Sequence, residues 1–142
     1  DVQILTESGL LPGALLHNTS HKFICKNTYL KAATKNTLVT NKYSNKALKI
    51  PIAHAEGRYF ADGETLKSLE DNDQILFKYS DQNGNITAES NPNGSLMNIA
   101  GVCNKERNVF GMMPHPERAS DGELKNQDGK LLFESILNEA LV

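Results

Sequence analysis

Two prolines flank one histidine in Met112-Met113-Pro114-His115-Pro116-Glu117-Arg118-Ala119, and they restrict this chain more than any other stretch of it. Each proline fixes its own φ, removes a backbone donor and disfavours helix for the residue before it, so His115 is expected to be extended in a stiff loop. Side chains alternate along an extended chain, so His115 and Glu117 are expected to project to the same side. There a carboxylate can hold an imidazole by one ring nitrogen and fix its tautomer. The other nitrogen is then free to take and return a proton near pH 7, which is the base-and-orienter half of a nucleophilic triad. The motif contains no nucleophile, and a solvated proline-rich turn can carry the same His-x-Glu, so the pattern needs context.

The context is the apolar run Val109-Phe110-Gly111-Met112-Met113, of strand type, which would deliver the loop at a strand's carboxyl end, where ligands bind in open α/β sheets. A second apolar run, 99–103, precedes it across the polar stretch 104–108, so the two read as a hairpin that aims the loop.

A second His-x-Glu competes with the first. Residues 49–55 read as a strand whose Pro51 argues for an edge or a strand start, and it ends in His54-Ala55-Glu56-Gly57-Arg58-Tyr59. No proline clamp adds to this pair. The expectation is that His54 and Glu56 make structural hydrogen bonds at a strand end, with Arg58 as counter-ion.

The remaining pattern reads as mixed α and β. A helix over 2–9 ends at Gly9, and Pro12-Gly13 marks a turn. Residues 21–30 suit a strand, with Phe23 and Cys25 on one face and Lys22, Ile24 and Lys26 on the other, and Cys25 is expected to pack rather than react. Residues 37–40 and 73–79 read as strands, the latter with Ile75, Phe77 and Tyr79 on one face; 66–69 reads as a short helix after an Asp62 N-cap. Asp81-Gln82-Asn83-Gly84-Asn85 and Asn91-Pro92-Asn93-Gly94-Ser95 are turn signals. After a polar stretch over 120–127, Asp128 is expected to cap a final helix with Leu132, Phe133, Ile136, Leu137, Ala140 and Leu141 on the face toward the sheet.

With 142 residues, 39% hydrophobic and 23% charged, the chain fits one domain over 1–142 with a real core. A formal net charge of −2 gives no basic field, so nucleic acid is not an expected partner. No apolar run reaches the roughly 18 residues a membrane span needs, and Asp1-Val2-Gln3 has neither the basic start nor the apolar core of a signal peptide, so a cytoplasmic location is expected. Cys25 and Cys103 lie far apart with no CxxC spacing, which suggests neither a zinc site nor a disulfide framework. The chain has no initiator methionine and opens in what reads as a helix under way, so it is expected to be a piece of a longer protein.

Five motifs in order then carry a resemblance over essentially the whole chain: Gln3-Ile4-Leu5-Thr6-Glu7, Gly9-Leu10-Leu11-Pro12-Gly13-Ala14-Leu15, Ile52-Ala53-His54-Ala55-Glu56-Gly57-Arg58-Tyr59, Asn91-Pro92-Asn93-Gly94-Ser95 and Gly111-Met112-Met113-Pro114-His115-Pro116-Glu117-Arg118-Ala119. Together they resemble the glutamine amidotransferase subunits of phosphoribosylformylglycinamidine synthase, glutaminases of the class I (triad) type. The resemblance implies an α/β, flavodoxin-like fold, here without its amino-terminal half. It also implies a cysteine thiolate that attacks the side-chain amide of glutamine, His115 as proton carrier, Glu117 as its orienter, and a γ-glutamyl thioester that is hydrolysed.

Ammonia would pass to a large synthetase subunit, which uses ATP and Mg to amidinate formylglycinamide ribonucleotide in purine biosynthesis, with a small third subunit in some bacterial complexes. The glutaminase subunit itself would need no cofactor or metal. The resemblance further implies that Gln3 lines the glutamine pocket and that the 18–23 segment, with Ser20 and Phe23, meets the amino acid's charged end. Aligning on Gln3 puts the family's cysteine two residues before Asp1, and the glycine-rich loop of the oxyanion hole also falls upstream, so this chain alone is expected to be inactive. Ala55 stands where the family usually has glycine, a position that would matter if it needed φ > 0. Two other readings remain open: a noncatalytic module docking on the synthetase, and a hydrolase that has recruited Cys25.

Overall fold

The computed structural model describes the backbone over residues 2–140 and side chains to residue 138; Leu141 and the side chain of Ala140, expected on the last helix's inner face, lie outside the described residues. Helix α1 (Val2–Glu7) ends as its sequence predicts. Gly9 takes φ +77°, and Leu11 N–H reaches back to Leu5 O at 3.0 Å, satisfying a carbonyl the helix would otherwise leave open. The chain then turns through Pro12-Gly13 into β1 (Ala14–Leu16). Glycine is required at position 13, where φ is +89° and a Cβ would lie 2.3 Å from the Tyr59 hydroxyl.

Five further strands form one sheet in the order β3 (Leu48–His54), β2 (Ile24–Ala32), β5 (Ile75–Ser80), β6 (Ile99–Cys103), β7 (Phe110–Met112). A separate ribbon pairs β1 with β4 (Arg58–Phe60). Every pairing among the described residues is antiparallel. The α/β class stands, but the parallel crossovers of a flavodoxin-like sheet are not among these pairings. Pro51 sits on β3, an edge strand as its missing N–H demands, and β6 and β7 form the expected hairpin.

The sheet is covered on both sides, which is why β6 is buried at all five positions. One cluster joins Leu30, Ile50, Ile52, Leu76, Phe77 and Tyr79 to Leu132 of α3 (Lys130–Ala140). The other joins Leu11, Tyr59, Ile75, Ile99 and Val102 to Leu69 of α2 (Gly63–Asp71), whose Asp62 cap accepts from Thr65 N–H at 2.7 Å as expected. The strand expected over 73–79 is β5, Ile75–Ser80, and it is buried on both faces, with Leu76 as deep as Phe77, rather than presenting a single apolar face.

Four expectations need correction. Residues 37–40 are a turn and not a strand: Thr37 and Thr40 hydroxyls bond each other at 2.6 Å and Thr40 N–H donates to Thr37 O, so local polar bonds replace a ladder. On β2 the inward face is Ile24, Thr28 and Leu30, so Cys25 is exposed rather than packed, while Cys103 is buried. Asp128 accepts from Lys49 N–H at 2.8 Å, across to β3, instead of capping α3, which begins only at Lys130. On α3 itself, Leu132 and Ile136 pack on the sheet, but Phe133 is partly exposed and Leu137 is 60% exposed.

Candidate functional site

The loop after β7 reaches across the sheet. Met113 N–H donates to Ala100 O on β6 at 3.0 Å, and two residues later His115 N–H donates to Pro51 O on β3 at 2.8 Å. Strands near opposite ends of the strand order thus meet at one loop, so the sheet curls around it. His115 is extended (φ −105°, ψ 87°), as its proline neighbours require, but Pro116 opens a 3-10 turn, Pro116–Ala119. Glu117 therefore does not face His115 by strand alternation. The turn carries it back toward the ring, and proline suits that first helical position because its missing N–H has no partner to lose.

The ring and the acid meet. Glu117 Oε1 lies 2.8 Å from His115 Nδ1, and because a carboxylate only accepts, Nδ1 carries a proton, so that in the neutral ring Nε2 is the basic nitrogen. The His115 side chain is 32% exposed and that of Glu117 56%, so the pair is open to a ligand yet partly shielded. Arg118 Nε stands 3.9 Å from the same carboxylate oxygen.

A cleft of about 640 Å³ opens in front of the pair, lined by Val2, Gln3 and Leu5 of α1, Leu15 of β1, residues 53–56 and residues 110–117. Gln3, His115 and Glu117 are thereby brought to one place, while Gln3 Nε2 also bonds Glu7 at 2.9 Å. Ser20 and Phe23 are not in this lining: Ser20 is exposed and accepts from Lys22 N–H, and Phe23 is 64% exposed. Their segment is tied to the cleft wall only through His54, which Asn18 bonds and with which Ile24 pairs in the β2–β3 register. Among the described residues no group of three or more His, Cys, Asp or Glu side chains could hold a metal ion, and no helix is long and apolar enough to cross a membrane.

The second His-x-Glu is built otherwise. His54 is buried, and its Nδ1 lies 3.0 Å from Asn18 Oδ1. The Asn18 amide is oriented by its Nδ2, which donates to Lys22 O and His54 O at 2.8 Å each, so Oδ1 accepts from Nδ1–H. Nε2 then faces the amide nitrogen of buried Asn93 at 3.4 Å, where it can accept but not donate. Burial pushes the His54 pKa below the usual imidazole range, and the neighbouring His115 acts in the same direction. Glu56 turns away to His17 Nε2 at 3.2 Å, and Arg58, the expected counter-ion, makes no ion pair among the described residues.

Glycine is needed at position 57, where a Cβ would meet the His54 ring at 2.3 Å, whereas Ala55 takes no positive φ. Sequence reasoning missed Asn18 and Asn93 as the partners of His54. The Asn-Pro-Asn-Gly turn signal flagged the second as a turn residue, and nothing local to the sequence marks a long-range amide bond.

The model of the CobB/CobQ-like glutamine amidotransferase domain matches residues 1–134. Phosphoribosylformylglycinamidine synthase subunit PurQ of Synechocystis sp. is 57% identical over 132 residues, covering 92% of this chain and 59% of that protein. PurQ of Acaryochloris marina is 54% identical over 140 residues, covering 98% and 60%. A chain in the structure of PurLQS from Thermotoga maritima matches with a TM-score of 0.79 and 42% identity, over 97% of this chain and 57% of that one. The chain thus spans about three-fifths of the length of the curated relatives it matches. With its mixed α/β fold and a His–Glu pair at the wall of a cleft, the chain belongs to the CobB/CobQ-like glutamine amidotransferase family.

Proposed function

We propose that this chain is the base-bearing portion of the glutaminase subunit of a phosphoribosylformylglycinamidine synthase, and that it releases ammonia from glutamine for amidination of formylglycinamide ribonucleotide. The observation that carries this reading is the 2.8 Å bond from His115 Nδ1–H to Glu117, at the wall of a cleft that also holds Gln3, in a chain 57% identical to a PurQ subunit. A cysteine contributed from residues preceding Asp1 gives its thiol proton to His115 Nε2 and attacks the amide carbon of glutamine. The protonated ring then passes that proton to the departing nitrogen, so ammonia leaves and a γ-glutamyl thioester remains. Water activated by the same nitrogen hydrolyses the thioester to glutamate and regenerates the thiol.

Gln3, Ser20 and Phe23 take the glutamine-facing roles, with Gln3 in the cleft wall. The partner is a large synthetase subunit that uses ATP and Mg, joined in some complexes by a small third subunit, and the setting is the cytoplasm. Without the upstream cysteine the 142 residues alone hydrolyse no glutamine.

The test is His115→Asn in the intact enzyme complex. Glutamine-driven synthesis should fall by at least about 10²-fold, the scale of a lost general base, while synthesis driven by added ammonium is retained. Equal loss of both activities would assign His115 to structure and overturn the reading.

A further inference from the structure

Resting on that reading, we propose that Asn126, Asp128 and Gly129 form a clamp that positions the His115–Glu117 pair for glutamine hydrolysis. The clamp grips the free edge of β3, the strand on which the loop carrying His115 is docked. Residues 49 and 51 share one parity, and their main-chain groups point away from β2. Pro51 offers only a carbonyl there, which His115 N–H takes at 2.8 Å.

Lys49, one pleat earlier, would leave both an N–H and a carbonyl unpaired. Asp128 Oδ2 accepts the N–H at 2.8 Å and Asn126 Nδ2 donates to the carbonyl at 2.6 Å, so two side chains imitate a neighbouring strand. Asn126 Oδ1 accepts from Asp128 N–H at 3.0 Å, which keeps the two side chains in step.

The clamp then closes on the turn that carries Glu117. Gly129 N–H donates to Ala119 O at 2.7 Å, at the far end of Pro116–Ala119. A Cβ at position 129 would lie 2.3 Å from Pro116 O and 2.8 Å from Pro116 Cα. These are backbone atoms of the residue between His115 and Glu117, so a side chain there must displace the turn. The loop is therefore fixed at 115 through β3 and at 116 and 119 through Gly129, and both anchors trace back to one edge of the sheet. An error of about 1 Å in such a placement is enough to cost on the order of 10²-fold in rate.

The test compares four variants of the intact complex in glutamine-driven and ammonium-driven assays, with thermal midpoints measured alongside. Gly129→Ala should lower glutamine-driven kcat at least about 10-fold while KM for glutamine changes less than about 2-fold and the ammonium-driven rate is kept. Asp128→Ala should lower kcat in the same way by a smaller factor, and Asp128→Asn, which retains an acceptor oxygen, should restore it. The clamp is overturned if kcat is unchanged in Gly129→Ala, if both activities fall together with the thermal midpoint, or if Asp128→Asn loses as much as Asp128→Ala. His115→Asn serves as the reference: if it keeps glutamine-driven activity, the catalytic reading itself fails and the clamp with it. If it loses that activity while the clamp variants do not, only the clamp fails.

Discussion

His54 and His115 each stand two residues before a glutamate, and the structure uses the two spacings in opposite ways. After His115 the chain enters a 3-10 turn at Pro116, and Glu117 swings back to the ring at 2.8 Å. After His54 the chain bends through Ala55 to Gly57, whose bare Cα lies against the ring, and Glu56 leaves for His17. His54 is then held by two asparagines and buried, whereas His115 is partly exposed at the wall of a cleft. A His-x-Glu spacing therefore has no fixed meaning. The backbone conformation that follows the histidine decides whether the acid becomes its partner, and burial decides whether the ring can gain a proton.

The largest effect that sharpens this contrast is on the glutamates. Glu117→Ala in the intact complex should lower glutamine-driven kcat by about 10²-fold, because the ring loses the acceptor that selects its tautomer, while Glu56→Ala should change it less than about 2-fold. Steady-state assays with glutamine and with ammonium decide it, and comparable losses in the two variants would erase the distinction. Next in size is the structural histidine. Asn18→Ala leaves the His54 Nδ1–H, the His54 carbonyl and the Gly57 N–H without their buried partner, a cost of about 2–3 kcal/mol visible in a denaturant melt.

The smallest is a pH dependence. The folded state holds His54 below its ordinary pKa, so the unfolded chain takes up the proton first. Stability is then full above about pH 6.5 and falls as pH drops below it, by at most about 1.4 kcal/mol per unit. His54→Gln should flatten that slope between pH 5 and 7, and an unchanged slope would show that the ring titrates freely in the fold.

Much of the frame was legible because its signals are local. Gly9 ends α1, Asp62 caps α2, and Pro51 marks an edge strand, each through backbone chemistry that needs no knowledge of distant residues. The His115–Glu117 pair was legible too, although its geometry came from a turn rather than from strand alternation. What escaped depended on distant partners. Cys25 is exposed because the inward parity of β2 is set by its neighbours in the sheet. Asp128 has the local signature of a helix cap, while the edge of β3 it serves lies 79 residues away in sequence. Residues 37–40 have the β-branched composition of a strand, yet their hydroxyls close a turn instead.

Glu117 selects the His115 tautomer that carries its proton on Nδ1, which leaves Nε2 of the neutral ring to act as base. Nitrogen-15 NMR of the imidazole rings in the intact protein, recorded on the neutral side of the ring's titration, reads this tautomer. Neutral His115 should show a protonated Nδ1 and an unprotonated Nε2, with that preference lost in Glu117→Ala. A proton on Nε2, or a tautomer indifferent to Glu117, would contradict it.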